Sequence, residues 1–134
     1  MTQCVLISHG EVAVAVRQAA FEIIGARDNV HALSVRPGEG PAELEAALAA
    51  LLAPYAGEPL VLICDIVGGT PVNVALKMWL RNRDRAAVLT GLNVPMVLAF
   101  MQQDAAGLTP EALLQAGREG ITDISARARG LAPS

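Results

Sequence analysis

Short apolar runs rich in Val, Leu and Ile alternate along this chain with longer, Ala-rich stretches whose apolar residues recur every three or four positions. The short runs read as strands and the longer stretches as helices. Strands are expected at about Gln3–Ser8, Val30–Val35, Pro59–Cys64 and Ala86–Thr90. Helices are expected at about Val12–Ile24, Pro41–Leu52, Pro71–Leu80 and Met96–Gln103, and from Thr109-Pro110-Glu111 to Gly117 or Gly120. Gly25 stops the first helix, Pro41 and Pro71 suit first helical turns, and Thr70 suits an N-cap. Glu43 and Glu45 fall near the positive end of the second helix dipole. Strand and helix alternate as βαβ units do, which predicts an α/β fold around a mainly parallel sheet. Ile121–Ala126 reads as a short final strand, and residues 128–134 as a frayed tail or linker stub, so the domain is expected to span residues 1–127.

Composition narrows the picture. With 53% hydrophobic but 3% aromatic residues in 134, the core must be built from Ala, Val, Leu and Ile. Charged residues are 17%, below the roughly 25% of soluble domains, which suits a surface partly covered in an oligomer. No apolar run approaches the roughly 20 residues of a membrane span, and the N-terminus lacks the basic start and apolar stretch of a signal peptide. A cytoplasmic location is therefore expected. The net charge is −3, and the nine arginines and one lysine form no block. Arg81, Arg83 and Arg85 read as a solvated helix end and turn, so nucleic acid is not an expected partner. Cys4 and Cys64 lie inside strands and read as small buried hydrophobes.

The chemistry concentrates at the ends of two strands. His9-Gly10 follows the first, and Asp65 follows the third. In open α/β sheets ligands bind beyond the carboxyl ends of the strands, where the strand order reverses. With an order of 2-1-3-4, His9 and Asp65 flank that crevice, on strands about 4.8 Å apart. A carboxylate that takes the Nδ1 proton leaves Nε2 unprotonated and outward, poised for acid–base work or nucleophilic attack. Gly68-Gly69-Thr70 then opens a helix, whose free N–H groups favour anions, and Gly10 removes bulk beside the ring. Candidate catalytic residues are thus His9 and Asp65, and candidate phosphate-binding residues are Gly10, Gly68, Gly69 and Thr70.

Other sites fare poorly. Gly38-Glu39-Gly40 begins like a dinucleotide fingerprint but lacks the third glycine and follows the second strand. No Gly-Lys-Ser/Thr phosphate loop occurs, and a receiver-type phospho-aspartate site would want acids where His9-Gly10 stands. Two histidines and two buried cysteines are too few for zinc. His31 reads as a surface or partly buried strand residue.

The segments Ile7-Ser8-His9-Gly10, Pro37-Gly38-Glu39, Asp65-Ile66-Val67-Gly68-Gly69-Thr70-Pro71-Val72-Asn73 and Gly91-Leu92-Asn93-Val94-Pro95-Met96 resemble the mannose-family enzyme IIA of the bacterial sugar phosphotransferase system. The likeness runs through nearly the whole chain in order and spacing. It implies a three-layer open sheet of order 2-1-3-4, with an antiparallel C-terminal edge strand, here Ile121–Ala126, exchanged in a homodimer. It implies that His9 takes a phosphoryl group on Nε2 from the phosphocarrier HPr and gives it to a IIB domain, that Asp65 orients the ring, and that Thr70 stands beside the phosphate. It implies no cofactor, and only peripheral association with the membrane through IIC and IID partners. Ile66-Val67 stand where many members carry an aromatic residue, and many members continue into a IIB domain through an Ala/Pro-rich linker. Two further readings stay open on the residues alone: a regulatory protein whose His9 phosphorylation state controls a partner, and an anion-binding module without transfer.

Overall fold

The structure is a computed structural model that describes residues 1–131. Four strands form one parallel sheet: β1 (Gln3–His9), β2 (Val30–Val35), β3 (Leu60–Cys64) and β4 (Ala86–Leu89). Their order is β2-β1-β3-β4, so the chain reverses direction across the sheet between β1 and β3. The register sets Cys4 beside Val30 and Val61, Ile7 beside Leu33 and Cys64, and His9 beside Val35. Residues 3–8 of β1 are all buried, because the central strand is covered on both faces.

Alternation divides the core in two. Cys4, Leu6, Val30, Val61, Ile63 and Leu89 face one layer of helices, α1 (Val12–Ile24), α4 (Val94–Gln102) and α5 (Pro110–Glu119), through Ala13, Ala20, Met96, Val97, Phe100 and Leu113. Val5, Ile7, Val35, Leu60, Leu62 and Cys64 face α2 (Pro41–Leu52) and α3 (Thr70–Leu80) through Leu44, Leu48, Val74 and Ala75. The result is the expected parallel α/β arrangement, helices on both faces of a 2-1-3-4 sheet.

Several boundaries move for identifiable reasons. β1 runs one residue further than expected, through His9. α4 starts at Val94 rather than Met96, because Asn93 caps it: its Oδ1 accepts the Met96 N–H at 3.0 Å, and its Nδ2 donates to Gly117 O at 3.0 Å. Gly117 permits that crossing, since a Cβ there would sit 2.6 Å from Met96 Cγ. The turn before α4 stays at the carboxyl edge of the sheet, its Leu92 N–H donating to Cys64 O at 3.1 Å, while Asn93 ties α4 to α5.

The C-terminal segment departs furthest from expectation. Instead of a strand over Ile121–Ala126, the structure has irregular chain followed by α6 (Ile124–Leu131). Asp123 Oδ1 accepts the Ala126 N–H at 3.1 Å and so caps the helix. Among the described residues the outer edges of β2 and β4 stay unpaired, and the local cap decides the conformation of this segment. Of the stretch read as a tail, residues 128–131 belong to α6, and residues 132–134 lie outside the described residues. Among the described residues no helix is long and apolar enough to cross a membrane.

Candidate functional site

His9 ends β1, and Asp65 stands one residue past the end of β3, held there by its own N–H donating to Ile7 O at 3.2 Å. One carboxylate oxygen, Oδ2, serves both atoms of His9 that need a partner. It accepts the His9 backbone N–H at 3.0 Å and lies 2.9 Å from Nδ1. The histidine ring is therefore anchored on its Nδ1 side, with the proton of the neutral form on Nδ1 and the lone pair on Nε2. The His9 side chain is 48% exposed and Asp65 15%, so the orienting group is covered while the ring reaches solvent. Burial alone would push the Asp65 carboxyl up. The hydrogen bonds from the His9 amide and ring, the nearby Ile66 N–H and the charge of His9 outweigh it and hold the group below its ordinary 3.8. Asp65 Oδ1 is buried, with no donor in hydrogen-bonding geometry.

Gly69 closes the other side of the ring. It has φ +88° and ψ −175°, a conformation open to glycine but strained for any other residue. A Cβ on Gly69 would lie 3.2 Å from His9 Nε2 and 3.3 Å from Cε1. A side chain at Gly69 would therefore crowd the free nitrogen, whereas one at Gly68 would meet nothing within 4 Å. Gly69, not Thr70, occupies the N-cap of α3; Thr70 is the first helical residue and Pro71 the second. The first intrahelical bond of the turn runs from Asn73 N–H to Gly69 O at 3.1 Å. The N–H groups of Thr70 and Val72 precede it and have no helical carbonyl to bind, while Pro71 has no N–H to leave unpaired. With Gly69→Ala, strain of about 1–3 kcal/mol is expected in the urea midpoint. Any reaction at the His9 Nε2 should slow roughly tenfold or more through crowding. Unchanged values for both would show that the close approach does not matter.

The structure brings together His9, Asp65, Gly68, Gly69 and Thr70, and Gly10 follows His9 in the turn with φ +55° and its N–H on Val35 O at 3.0 Å. Ser8 is the contributor that the residue pattern did not single out. Its buried Oγ accepts the Ala13 N–H at 2.7 Å and donates to Gly10 O at 3.4 Å, which fixes the turn that carries His9 to the start of α1. A polar residue within an otherwise apolar strand was its one visible signal. His31 stands apart: its Nε2 lies 2.8 Å from Gln3 Oε1 and its ring packs against Tyr55, at the opposite end of the strands. Cys4 and Cys64 are buried free thiols as expected; burial and then the Asp65 charge push Cys64 up to about 12, too high for a reactive thiolate.

An open parallel sheet with a carboxylate-anchored histidine at its switch point, facing a glycine-rich helix start, defines the class as a histidine-centred transfer or anion site. Comparison with known proteins makes this particular. The profile of the family described as "PTS system fructose IIA component" matches residues 3–116. A sorbose-specific EIIA component of the phosphotransferase system from Lacticaseibacillus casei is 28% identical over 96 residues, 72% of this chain and 69% of that protein. A fructose-specific EIIA component from Bacillus subtilis (strain 168) is 29% identical over 102 residues, 75% of this chain and 69% of that protein. The solved mannose/sorbose-specific IIA subunit from Enterococcus faecalis matches with a TM-score of 0.81 at 27% identity, covering 91% of this chain and 93% of that one. The chain belongs to the mannose/fructose EIIA family: it is an EIIA phosphocarrier component of the sugar phosphotransferase system.

Proposed function

We propose that His9 accepts a phosphoryl group on Nε2 from phospho-HPr and passes it to a IIB domain or subunit, in the service of sugar uptake and phosphorylation. The observation that carries this reading is the single Asp65 oxygen at 2.9 Å from Nδ1 and 3.0 Å from the His9 N–H, with Nε2 left beside the side-chain-free Gly69. In the first step the Nε2 lone pair forms the new P–N bond as the bond to the donor breaks, and the leaving electron pair returns to the donor. Nδ1 keeps its proton, and the Asp65 carboxylate balances the positive charge that develops on the ring. The second step runs the same exchange in reverse, with an acceptor nitrogen attacking the phosphorus. Asp65 orients the ring; the N–H groups of Gly69 and Thr70 and the Thr70 hydroxyl hold phosphoryl oxygens; Gly10 and Gly68 keep the approach open. We place the protein in the cytoplasm, meeting membrane components only through its partners.

The test is direct. The protein is incubated with phosphoenolpyruvate, enzyme I and HPr, and the labelled site is mapped under conditions that preserve phosphohistidine. Label on His9, lost in acid and discharged by a IIB domain, is the expected result. Absence of any phosphohistidine would leave only anion binding.

The homodimer is part of the same proposal. α6 has no buried side chain, and Ile121, Ile124 and Leu131 are 79%, 63% and 82% exposed, while β4 leaves one sheet edge unpaired. A second copy would cover both features by taking this segment along its own β4. Light scattering should find a dimer that becomes monomeric when residues 121–134 are removed; a dimer that survives the truncation sinks the exchanged arm.

A further inference from the structure

The loops that follow the four strands, at residues 10–11, 36–40, 65–69 and 90–93, contain three acids, Glu11, Glu39 and Asp65, but one basic side chain, Arg36. Arg36 comes directly after Val35, the register partner of His9, and the Gly10 N–H donates to Val35 O at 3.0 Å. Arg36 therefore leaves the sheet beside the His9-Gly10 turn, one strand spacing of about 4.8 Å away. An extended arginine side chain spans that distance. Its Nη2 lies 3.4 Å from Oε1 of Glu11, the residue after Gly10, and both side chains are 65% exposed. An ion pair this exposed is weak and exchanges partners readily.

A phosphoryl group on His9 changes the balance. It brings a charge of about −2 to an edge where Asp65 is already ionised. A guanidinium is planar, always charged, and matches phosphoryl oxygens through two parallel N–H bonds, which a single exposed carboxylate contact at 3.4 Å does not equal. We propose that Arg36 is a phosphoryl clamp, which leaves Glu11 for the phosphoryl oxygens when His9 is loaded and so gives the loaded and empty forms different rims. This inference rests on His9 being the acceptor. No covalent bond changes in the exchange. Arg36 keeps its protons and trades one anion for another, and Glu11 is left as a free carboxylate at the N-cap of α1, where the helix dipole holds it. A partner that meets the loaded protein finds Glu11 uncovered; one that meets the empty protein finds it paired.

The clamp acts on the phosphoryl group and not on the donor protein, which makes it testable with a small donor. Wild type, Arg36→Gln, Arg36→Lys and Glu11→Gln are loaded in parallel from phosphoramidate and from phospho-HPr, with phosphohistidine followed by phosphorus NMR and folding checked by urea midpoint. Arg36→Gln should load roughly tenfold more slowly from either donor, with Arg36→Lys in between. Glu11→Gln should load faster than wild type, because it frees Arg36. A purely structural pair would make the Arg36→Gln and Glu11→Gln variants change in the same direction, and that outcome overturns the clamp. Slowing with phospho-HPr alone makes Arg36 a docking contact and likewise overturns it. Arg36→Gln matching wild type overturns the clamp and leaves His9 as acceptor. Wild type that fails to load at His9 from either donor removes the acceptor reading and the clamp together.

Discussion

With His9 replaced by glutamine, no phosphohistidine should form from phospho-HPr, and the urea midpoint should stay close to that of wild type. Glutamine keeps a polar side chain at the strand end but has no basic nitrogen lone pair with which to attack phosphorus. The fold should tolerate the change, because the ring is 48% exposed and the backbone N–H of residue 9 still donates to Asp65. Loss of label can then be assigned to chemistry and not to unfolding. His31 is the one other histidine, and it should not substitute. It sits opposite Val5, four residues and about 13 Å down the strands from the His9 end, with its Nε2 engaged by Gln3. Residual label in the His9→Gln protein would move the acceptor elsewhere and undo the assignment.

Asp65→Asn should be nearly as damaging, with phosphoryl uptake down by about 10²- to 10⁴-fold, on the scale seen when a carboxylate that holds a catalytic imidazole becomes an amide. The geometry explains why an isostere fails. Oδ2 accepts two hydrogen bonds, from the His9 N–H and the ring, and Oδ1 is buried near the Ile66 N–H without a well-aligned hydrogen bond. If the asparagine oxygen takes the place of Oδ2, its NH2 group comes to lie near the Ile66 N–H, donor against donor, and the charge that balances the imidazolium is gone. If the amide turns over, its NH2 faces the His9 N–H, and the ring must present a lone pair at Nδ1 and a proton at Nε2, the wrong tautomer for attack. The same substitution has a pH signature. Asp65 is held below its ordinary 3.8 in the folded state, so between the two values the unfolded chain binds more protons than the folded one. The stability it contributes is fully present above about 3.8 and is lost as pH falls through the lower, folded value. The gap in urea midpoint between wild type and Asp65→Asn should be constant from neutral pH down to about pH 5 and should close below that range. A gap that widens on acidification would contradict the hydrogen-bonded, ionised Asp65.

Much of the frame was legible because it rests on local periodicity. α1 and β2 and the bounds of α2 follow the expected ranges, since strand runs, proline at first turns and glycine at stops act within a few residues. The errors fall where side chains act across elements or where a partner is needed. Thr70 looked like the N-cap, yet Gly69 takes that place with a conformation open to glycine, drawn against the His9 ring. Met96 looked like a helix start, yet Asn93 caps two residues earlier, because its side chain also reaches Gly117 of α5. Ile121–Ala126 looked like a strand, yet among the described residues of the single chain the outer edge of β4 stays unpaired and Asp123 caps a helix instead.

The pair at the strand ends shows where the division lies. From the order of residues alone came a histidine after one apolar run, an aspartate after another, and a glycine-rich helix start behind it, with acid–base and nucleophilic roles both open. Those features are local, so the sequence determines them. That one Asp65 oxygen holds both the amide and the ring of His9, that Gly69 leaves no room for a side chain beside Nε2, and that Arg36 and Glu11 pair across the adjoining turn are decided only by the tertiary structure. Each depends on the parallel register that brings β1, β2 and β3 side by side, and contacts between residues 56 or 60 positions apart have no periodicity to announce them.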